Sequence, residues 1–299
     1  MPELPEVETV RRDLDGVYVG HDLEHLVITG ARTVRRHSPE RLLALEGRKL
    51  TRTGRHGKYM LLGWDDGQAL VVHLRMSGQL LAAQSDDPVA KHTHAVLTFA
   101  GAGELRFVDP RTFGEFFLAT PVAPDEEAAG PAAGSPLAGS PLAGSTALTS
   151  GRLVELGHLG PDALDIDESR LRRALTGRRS ALKTLMVDQT VMAGVGNIYA
   201  DEICFDARLR PERPAGSLRW PEIRRLTESV HSVLQSAIAA RGSSLADEQY
   251  RDLQGAPGLF QLEHKVYGRV GQKCTSCGRE IVRVHFGAKS AYLCQKCQK

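Results

Sequence analysis

Hydrophobic and polar positions follow one another in short runs through the first 120 residues of the chain. Apolar or alternating runs, separated by turns that contain Gly or Asp, occur at residues 26–28, 59–62, 69–74, 95–99 and 104–108. Runs of this length and spacing predict β-strands of a sandwich or a barrel. A helix is predicted before them, from about Pro5 to Asp15, because proline suits a first helical turn and Gly16 suits the end.

Beyond residue 150 the apolar spacing becomes helical, and we predict helices over 168–175, 180–188, 197–206 and 220–241. Residues 121–150 separate the two patterns. They contain no aromatic residue and include the repeat GSPLAGSPLAGS at 134–145, which predicts a flexible linker or surface insertion without a packed core. The chain is therefore predicted to be an α+β multidomain protein: a β-rich domain over 2–120, a linker over 121–150, a helical domain over 151–262 and a metal module over 263–299.

The distribution of charge qualifies what the total charge suggests. The 299 residues carry a formal net charge of only +2, which is weak evidence for a polyanionic partner. However, residues 264–299 hold eight basic residues and one acidic residue, a local net of +7, and residues 168–183 hold six basic residues against Glu168 alone. Such patches give a nucleic-acid backbone something to bind.

No segment of the sequence looks like a membrane span or a secretory leader. No apolar run approaches the roughly 18 residues that a membrane span needs, and the first residues lack the basic and apolar regions of a signal peptide. We therefore expect no membrane partner and a cytoplasmic location, where disulfides are rare.

Four of the five cysteines have the spacing of a zinc site. Cys274 and Cys277 form one Cys-x2-Cys pair, and Cys294 and Cys297 form a second pair 16 residues later. Two such pairs complete a closed tetrahedron of thiolates, which predicts one structural Zn²⁺ with no open position for catalysis. Disulfides or an iron–sulfur cluster fit this compartment less well. The fifth cysteine, Cys204, is predicted to be a buried core thiol.

Two further segments carry possible chemistry. Gly194 and Gly196 precede a predicted helix whose N-cap we expect at Asn197, an arrangement that suits either phosphate binding or a plain tight turn. At the amino terminus, removal of Met1 would expose the secondary amine of Pro2, a potential nucleophile, beside Glu3, a potential proton carrier. The residues alone favour the plainer interpretation, in which Pro2 and Pro5 only stiffen the entry into the first helix.

The order of several motifs resembles that of bacterial formamidopyrimidine-DNA glycosylases. The matching segments are residues 2–9 (PELPEVET), 57–59 (GKY), 73–78 (HLRMSG), 109–114 (DPRTFG), 188–190 (DQT), 194–199 (GVGNIY), 266–269 (VYGR) and the four paired cysteines. They span nearly the whole chain apart from the insertion at 121–150. The resemblance implies an N-terminal helix with a β-sandwich, a helix-two-turns-helix domain and a zinc-finger hairpin, with DNA bound between the halves.

The function that this resemblance implies is base-excision repair. Members of the family remove oxidised purines, chiefly 8-oxoguanine and formamidopyrimidines, from double-stranded DNA and then cut the strand at the abasic site by β,δ-elimination. One structural zinc, a monomeric state and a bacterial cytosolic location come with the resemblance.

The resemblance also implies roles for single residues. Pro2 would attack C1′ of the damaged nucleotide and form a Schiff base, Glu3 would assist sugar-ring opening and proton transfer, and Lys58 would donate the proton for β-elimination. Lys289 stands where the family usually has an arginine that contacts the lesion phosphates and is tied to δ-elimination. Lysine keeps the charge but loses the bidentate fork, so we expect δ-elimination to lag.

The implied DNA contacts are spread along the chain. Three residues would fill the hole left by the extruded base: Met76, Arg111 and Phe113. The other contacts are His73, His92, Arg178 and Asn197. A mobile loop that covers the extruded base is expected over 242–258.

Three alternative functions fit the sequence less well. An endonuclease VIII-type glycosylase would use the same nucleophile on oxidised pyrimidines, but Leu4-Pro5 and the segment 109–113 favour the purine enzyme. A non-catalytic zinc-finger DNA-binding protein would have lost Pro2, Glu3 or Lys58, and all three are present. An unrelated zinc-ribbon transcription factor would explain only the C-terminal module.

Overall fold

The computed structural model describes residues 1–120, 153–245 and 250–299. The predicted linker at 121–150 and residues 246–249 of the predicted loop lie outside the described residues. By its internal contacts the chain divides into two compact units, one formed by Met1–Thr9 with Leu159–Lys299 and the other by Val10–His158. Among the helices of the described residues, none has the length and apolar character needed to cross a membrane.

The described residues form five α-helices and ten strands. The helices are α1 (Leu4–Tyr18), α2 (Glu168–Leu175), α3 (Leu182–Met186), α4 (Asn197–Asp206) and α5 (Trp220–Ala239). The strands are β1 (Leu23–Ile28), β2 (Leu50–His56), β3 (Tyr59–Trp64), β4 (Ala69–His73), β5 (Gln79–Ala83), β6 (Thr93–Phe99), β7 (Gly103–Val108), β8 (Glu115–Ala119), β9 (Val282–Phe286) and β10 (Lys289–Leu293). Short 3₁₀ turns lie at Pro39–Leu45, Val154–Leu156, Ala215–Ser217 and Phe260–Leu262.

The unit Val10–His158 is a β-sandwich. One antiparallel sheet has the strand order β1-β6-β7-β5 and the other has the order β2-β3-β4-β8. Aromatic rings from the two sheets meet in the interior: Trp64 stacks on Phe99 with ring centroids 6.2 Å apart, and Phe107 packs on Phe116 at 4.9 Å. Burial of such rings is a large part of what holds two sheets together.

The unit Met1–Thr9 with Leu159–Lys299 is helical and ends in a cysteine-bearing hairpin. Its core is formed by apolar side chains of α2, α3, α4 and α5, and Leu4 of α1 is part of the same cluster. The hairpin β9–β10 is antiparallel, with Lys289 paired to Phe286 next to its turn. The sandwich, the helical part and the cysteine hairpin agree with the fold class predicted from the sequence.

Three strands of the sandwich unit were missing from the sequence prediction for a physical reason. β2 has the sequence LTRTGRH, and β5 and β8 are five-residue runs beside Gly78 and Gly114. Short or polar runs carry little periodic signal, so only their pairing with longer neighbours makes them strands. The helix predicted over 180–188 is confined to Leu182–Met186.

Candidate active site

The carboxylate of Glu3 binds the first backbone N–H groups of α4. Its Oε2 accepts hydrogen bonds from the Gly196 amide at 2.7 Å and the Tyr199 amide at 3.4 Å, and its Oε1 accepts one from the Ile198 amide at 3.0 Å. The side chain is buried, with 3% of its surface exposed. These amides have no partner within the helix, and the positive end of the helix dipole faces the carboxylate, so this position suits an anion. Glu3 is therefore held in one orientation, next to the buried Pro2.

The two glycines of the 194–199 motif make this contact possible. A Cβ atom on Gly196 would lie 2.4 Å from the carboxyl carbon of Glu3, and one on Gly194, at φ +111°, would lie 2.5 Å from Leu4. The Leu4 amide also donates to the Gly194 carbonyl at 3.1 Å. The expectation that Asn197 is the N-cap was wrong, because Gly196 holds that position and Asn197 is the first, exposed residue of α4.

A second buried carboxylate, which the sequence analysis did not single out, lies one helical turn further along α1. Glu6 accepts hydrogen bonds from the Glu3 amide at 2.8 Å, the Ser243 amide at 2.8 Å and the Tyr199 hydroxyl at 2.5 Å. Ser243 in turn lies 3.1 Å from His264 Nε2. Burial, together with the nearby charge of Glu3, raises the pKa of Glu6. The identity of Glu6 in the 2–9 motif was visible in the sequence, but its long-range partners were not.

In the sandwich unit, Lys58 and His73 are buried neighbours. Lys58 lies in the tight turn between β2 and β3, and the adjacent Tyr59 pairs with His73 across β3 and β4. His73 Nδ1 accepts the Arg75 amide at 2.9 Å. Burial and the cations Arg75 and Lys58 lower the pKa of His73 to about 3, so its ring is neutral at physiological pH.

The three residues predicted to fill the DNA hole are exposed at the ends of sandwich strands. Met76 lies in the turn between β4 and β5 with 40% of its surface exposed, and Phe113 lies in the loop between β7 and β8 with 39% exposed. The guanidinium of Arg111 lies over the Phe113 ring, 4.9 Å from its centroid. Without the resemblance both apolar residues would have been interpreted as core, and their exposure excludes that interpretation.

Two further predicted DNA contacts, His92 and Arg178, are exposed in their own units. His92, at φ +68°, lies just before β6 in the sandwich unit. Arg178 lies after α2 in the helical unit, with its carbonyl bound to the Gly216 amide at 2.8 Å. Lys289 is half-buried at the first position of β10.

The four predicted zinc ligands form one cluster. Their sulfur atoms all lie within 4.8 Å of one another, with Cys274 and Cys297 3.9 Å apart and Cys277 and Cys294 3.4 Å apart. A tetrahedron of Zn–S bonds of about 2.3 Å separates its sulfurs by about 3.8 Å. The cluster therefore fits one structural Zn²⁺. Cys204 is buried away from it, beside Met186, as predicted.

Buried carboxylates of α4 bind the cysteine hairpin and the segment before it. Asp201 pairs with Lys183 at 2.8 Å and accepts the Tyr292 amide of β10 at 3.1 Å. Glu202 accepts the amides of residues 265–267 at 2.8 to 2.9 Å. Burial raises the pKa of Asp201 to about 7. These contacts hold the strand that begins with Lys289 against the helical core.

Comparisons with known proteins cover all three parts of the chain. Residues 1–116 match a model of the formamidopyrimidine-DNA glycosylase N-terminal domain, residues 159–249 match the H2TH domain of the same proteins, and residues 271–299 match a zinc finger found in FPG and IleRS. A formamidopyrimidine-DNA glycosylase of Heliobacterium modesticaldum is 40% identical over 306 residues, which covers 100% of both chains.

Two solved structures show the same fold with DNA. One is a complex of Lactococcus lactis Fpg with DNA containing an abasic site, at 32% identity and a TM-score of 0.81 over 99% of each chain. The other is a complex of the wild-type Lactococcus lactis protein with DNA containing N7-benzyl-Fapy-dG, at 32% identity and a TM-score of 0.81 over 100% of each chain.

Proposed function

Because the chain belongs to the formamidopyrimidine-DNA glycosylase family, we propose that it removes oxidised purines from double-stranded DNA and then cuts the strand at the resulting abasic site. The observation that carries this proposal is the geometry at the amino terminus. Glu3 is fixed beside Pro2 by three amides of α4, so an acid/base group is placed next to a potential amine nucleophile. The relatives whose structures contain lesion or abasic-site DNA support the same substrate class.

The first chemical step is base removal. Once Met1 is removed, the lone pair of the Pro2 nitrogen attacks C1′, and the bond from C1′ to the base breaks with its electrons leaving on the base. Opening of the sugar ring then gives an iminium at C1′, and O4′ takes up a proton. Glu3 delivers and collects protons in these steps.

Strand cleavage follows from the iminium, which acidifies the C2′–H bond. Loss of that proton and departure of the 3′ phosphate complete β-elimination, in which Lys58 acts as the proton donor. Departure of the 5′ phosphate completes δ-elimination, where Lys289 contacts the phosphate as a point charge. DNA contacts at His73, His92, Arg178 and Asn197 hold the strand around the lesion.

The target base must leave the stack before C1′ is accessible, which costs a few kcal/mol. Met76, Arg111 and Phe113 fill the space that it leaves: a flexible thioether, a planar cation for the orphaned base and an aromatic wedge. We further propose that the protein works as a monomer in the bacterial cytoplasm, with domain limits at 2–120, 151–262 and 263–299.

Borohydride trapping tests the substrate class. The protein is incubated with duplexes carrying 8-oxoguanine opposite cytosine or thymine glycol opposite adenine, and the covalent adduct is measured. We expect an adduct on the first duplex, and peptide mapping should place its covalent bond at the nitrogen of Pro2. An adduct on the second duplex alone would identify a pyrimidine-directed enzyme, and an adduct on neither would favour a non-catalytic DNA-binding protein.

A further inference from the structure

A buried carboxylate in the sandwich unit connects the segments that carry the wedge residues Met76, Arg111 and Phe113. Asp109, which directly follows β7, has 0% of its surface exposed. Its Oδ1 accepts the Ser77 hydroxyl at 2.5 Å and the Arg111 amide at 3.3 Å, and its Oδ2 accepts the Gly114 amide at 2.7 Å. Ser77 directly follows Met76, so one carboxylate binds both the β4–β5 turn and the β7–β8 loop.

The main chain of Asp109 extends the same set of contacts. Its amide donates to the His92 carbonyl at 3.0 Å, and its carbonyl accepts the Thr112 amide at 3.1 Å. His94 Nε2 also lies 3.0 Å from that carbonyl. Three separate segments that carry proposed DNA contacts therefore meet at one residue.

The backbone conformations of these segments require such support. Arg75, immediately before Met76, has φ +54°, and Thr112, between Arg111 and Phe113, has φ +54°. Left-handed conformations are unfavourable for residues with a side chain, most of all for a β-branched one, and persist only where the surroundings enforce them. Arg35 adds to this support by donating from its guanidinium to the Thr112 carbonyl at 2.8 Å.

We propose that Asp109 is a positioning residue that, through Ser77, holds Met76, Arg111 and Phe113 as a preformed wedge for base extrusion. The inference rests on the proposed function. It implies that Asp109 matters when an intact damaged base must be extruded, and matters little at a preformed abasic site, where no base has to leave the stack.

Two variants test this link: Ser77→Ala, which removes only the bridge between the two segments, and Asp109→Asn, which weakens every side-chain contact. Single-turnover rates are measured with saturating enzyme on an 8-oxoguanine duplex and on an abasic-site duplex. We expect base excision to fall roughly fivefold in Ser77→Ala and about 100-fold in Asp109→Asn. Cleavage at the abasic site should stay within about twofold, since no base is extruded.

Asp87→Asn is the matched control, because Asp87 also accepts a backbone amide, that of Gln84 at 2.7 Å, but is exposed in the segment between β5 and β6. It should leave both rates unchanged. A 2-aminopurine opposite the lesion reports wedge insertion directly, and its fluorescence rise on binding should be smaller in Ser77→Ala and Asp109→Asn than in the wild type.

The outcomes separate the link from the function. Equal losses on both duplexes, or no loss on either, would overturn the positioning role. If Ser77→Ala/Asp109→Asn is no slower than Asp109→Asn, the two residues act through one link, whereas multiplied losses would contradict it. A wild-type protein that excises no 8-oxoguanine would overturn the proposed function instead.

Discussion

Two buried carboxylates, Glu3 in the helical unit and Asp109 in the sandwich unit, use the same local chemistry for different ends. Each accepts hydrogen bonds from backbone amides: Glu3 from the start of α4, and Asp109 from its own loop. Both are almost fully removed from solvent. What differs is the backbone that each one holds.

Around Glu3 the crowded positions belong to glycine. Gly194 adopts the left-handed conformation, and Gly196 allows the Glu3 carboxylate to approach the backbone closely. At these two positions no residue with a side chain is strained. Around Asp109 the left-handed positions belong to Arg75 and Thr112, which cost about 1–3 kcal/mol each by general experience. We infer that the first carboxylate is itself the working group, whereas the second enforces a shape on others.

Replacement of the Glu3 carboxylate should have the largest effect. In Glu3→Gln the amide nitrogen cannot accept an amide N–H or carry the proton, so excision of 8-oxoguanine should fall by about 10²- to 10⁴-fold. Some cleavage at a preformed abasic site should remain, since the base has already left. Single-turnover assays on both duplexes measure this.

A matched control for Glu3→Gln is Glu46→Gln, because Glu46 accepts the Leu26 amide at 2.8 Å in the sandwich unit without lying in a proposed DNA contact. It should keep the wild-type rate. Undiminished excision by Glu3→Gln would remove Glu3 from the mechanism and erase the contrast with Asp109.

A methyl group at Gly196 should have the next largest effect. The backbone there, at φ −130°, accepts any residue, so Gly196→Ala acts only through a Cβ atom 2.4 Å from the Glu3 carboxyl carbon. Displacement of the carboxylate by about 1 Å should slow base excision up to roughly 100-fold. The comparison is Gly16→Ala in α1, where a Cβ meets nothing within 4 Å and helix propensity favours alanine. Equal rates in both variants would show that Glu3 tolerates movement.

Much of the fold and part of the site could be predicted from the sequence, and the division has a physical basis. The zinc ligands lie close together in the sequence, so their spacing alone identifies Cys274, Cys277, Cys294 and Cys297. The α4 N-cap was misplaced to Asn197, because the anion that occupies the helix terminus comes from Glu3, nearly 200 residues away. Long-range partners of this kind leave no local pattern.

The contacts of Asp109 also could not be predicted from the local sequence. It lies in the DPRTFG motif at 109–114, yet its bond to Ser77 joins residues 32 positions apart in the sequence. The exposure of Met76 and Phe113 could be expected only from the resemblance, because the pattern alone predicts that an apolar residue between two strands belongs to the core. The sequence therefore identifies these residues but does not predict the contacts that hold them in place.

Acid should destabilise the sandwich unit through His73. Its folded pKa of about 3 lies below the value of about 6.5 of an unfolded histidine, so below pH 6.5 the unfolded chain binds a proton that the folded protein excludes. Stability is therefore lost as the pH falls from about 6.5 towards 3, and at pH 5 the loss from this residue should be about 2 kcal/mol.

Urea unfolding at pH 7 and pH 5 measures that loss, with His73→Gln as the comparison. The buried His264 of the helical unit, whose pKa is lowered to about 4, contributes a loss of the same sign in both proteins, so the difference between them isolates His73. Equal pH dependence in the two proteins would show that His73 titrates normally and that the Arg75 turn does not depend on its neutral ring.

The smallest expected effect concerns Lys289, which lies in the same unit as Glu3, at the start of β10. Lys289→Arg restores a bidentate phosphate fork, so the ratio of δ- to β-elimination product should rise about two- to fivefold. A time course on an abasic-site duplex measures the ratio, and Lys296→Arg makes the same exchange at an exposed position beside the zinc ligand Cys297. If the wild type already forms δ-product as fast as β-product, lysine is sufficient at this position. The ratio of the two products would then be set by the Pro2–Glu3 site and not by the β9–β10 hairpin.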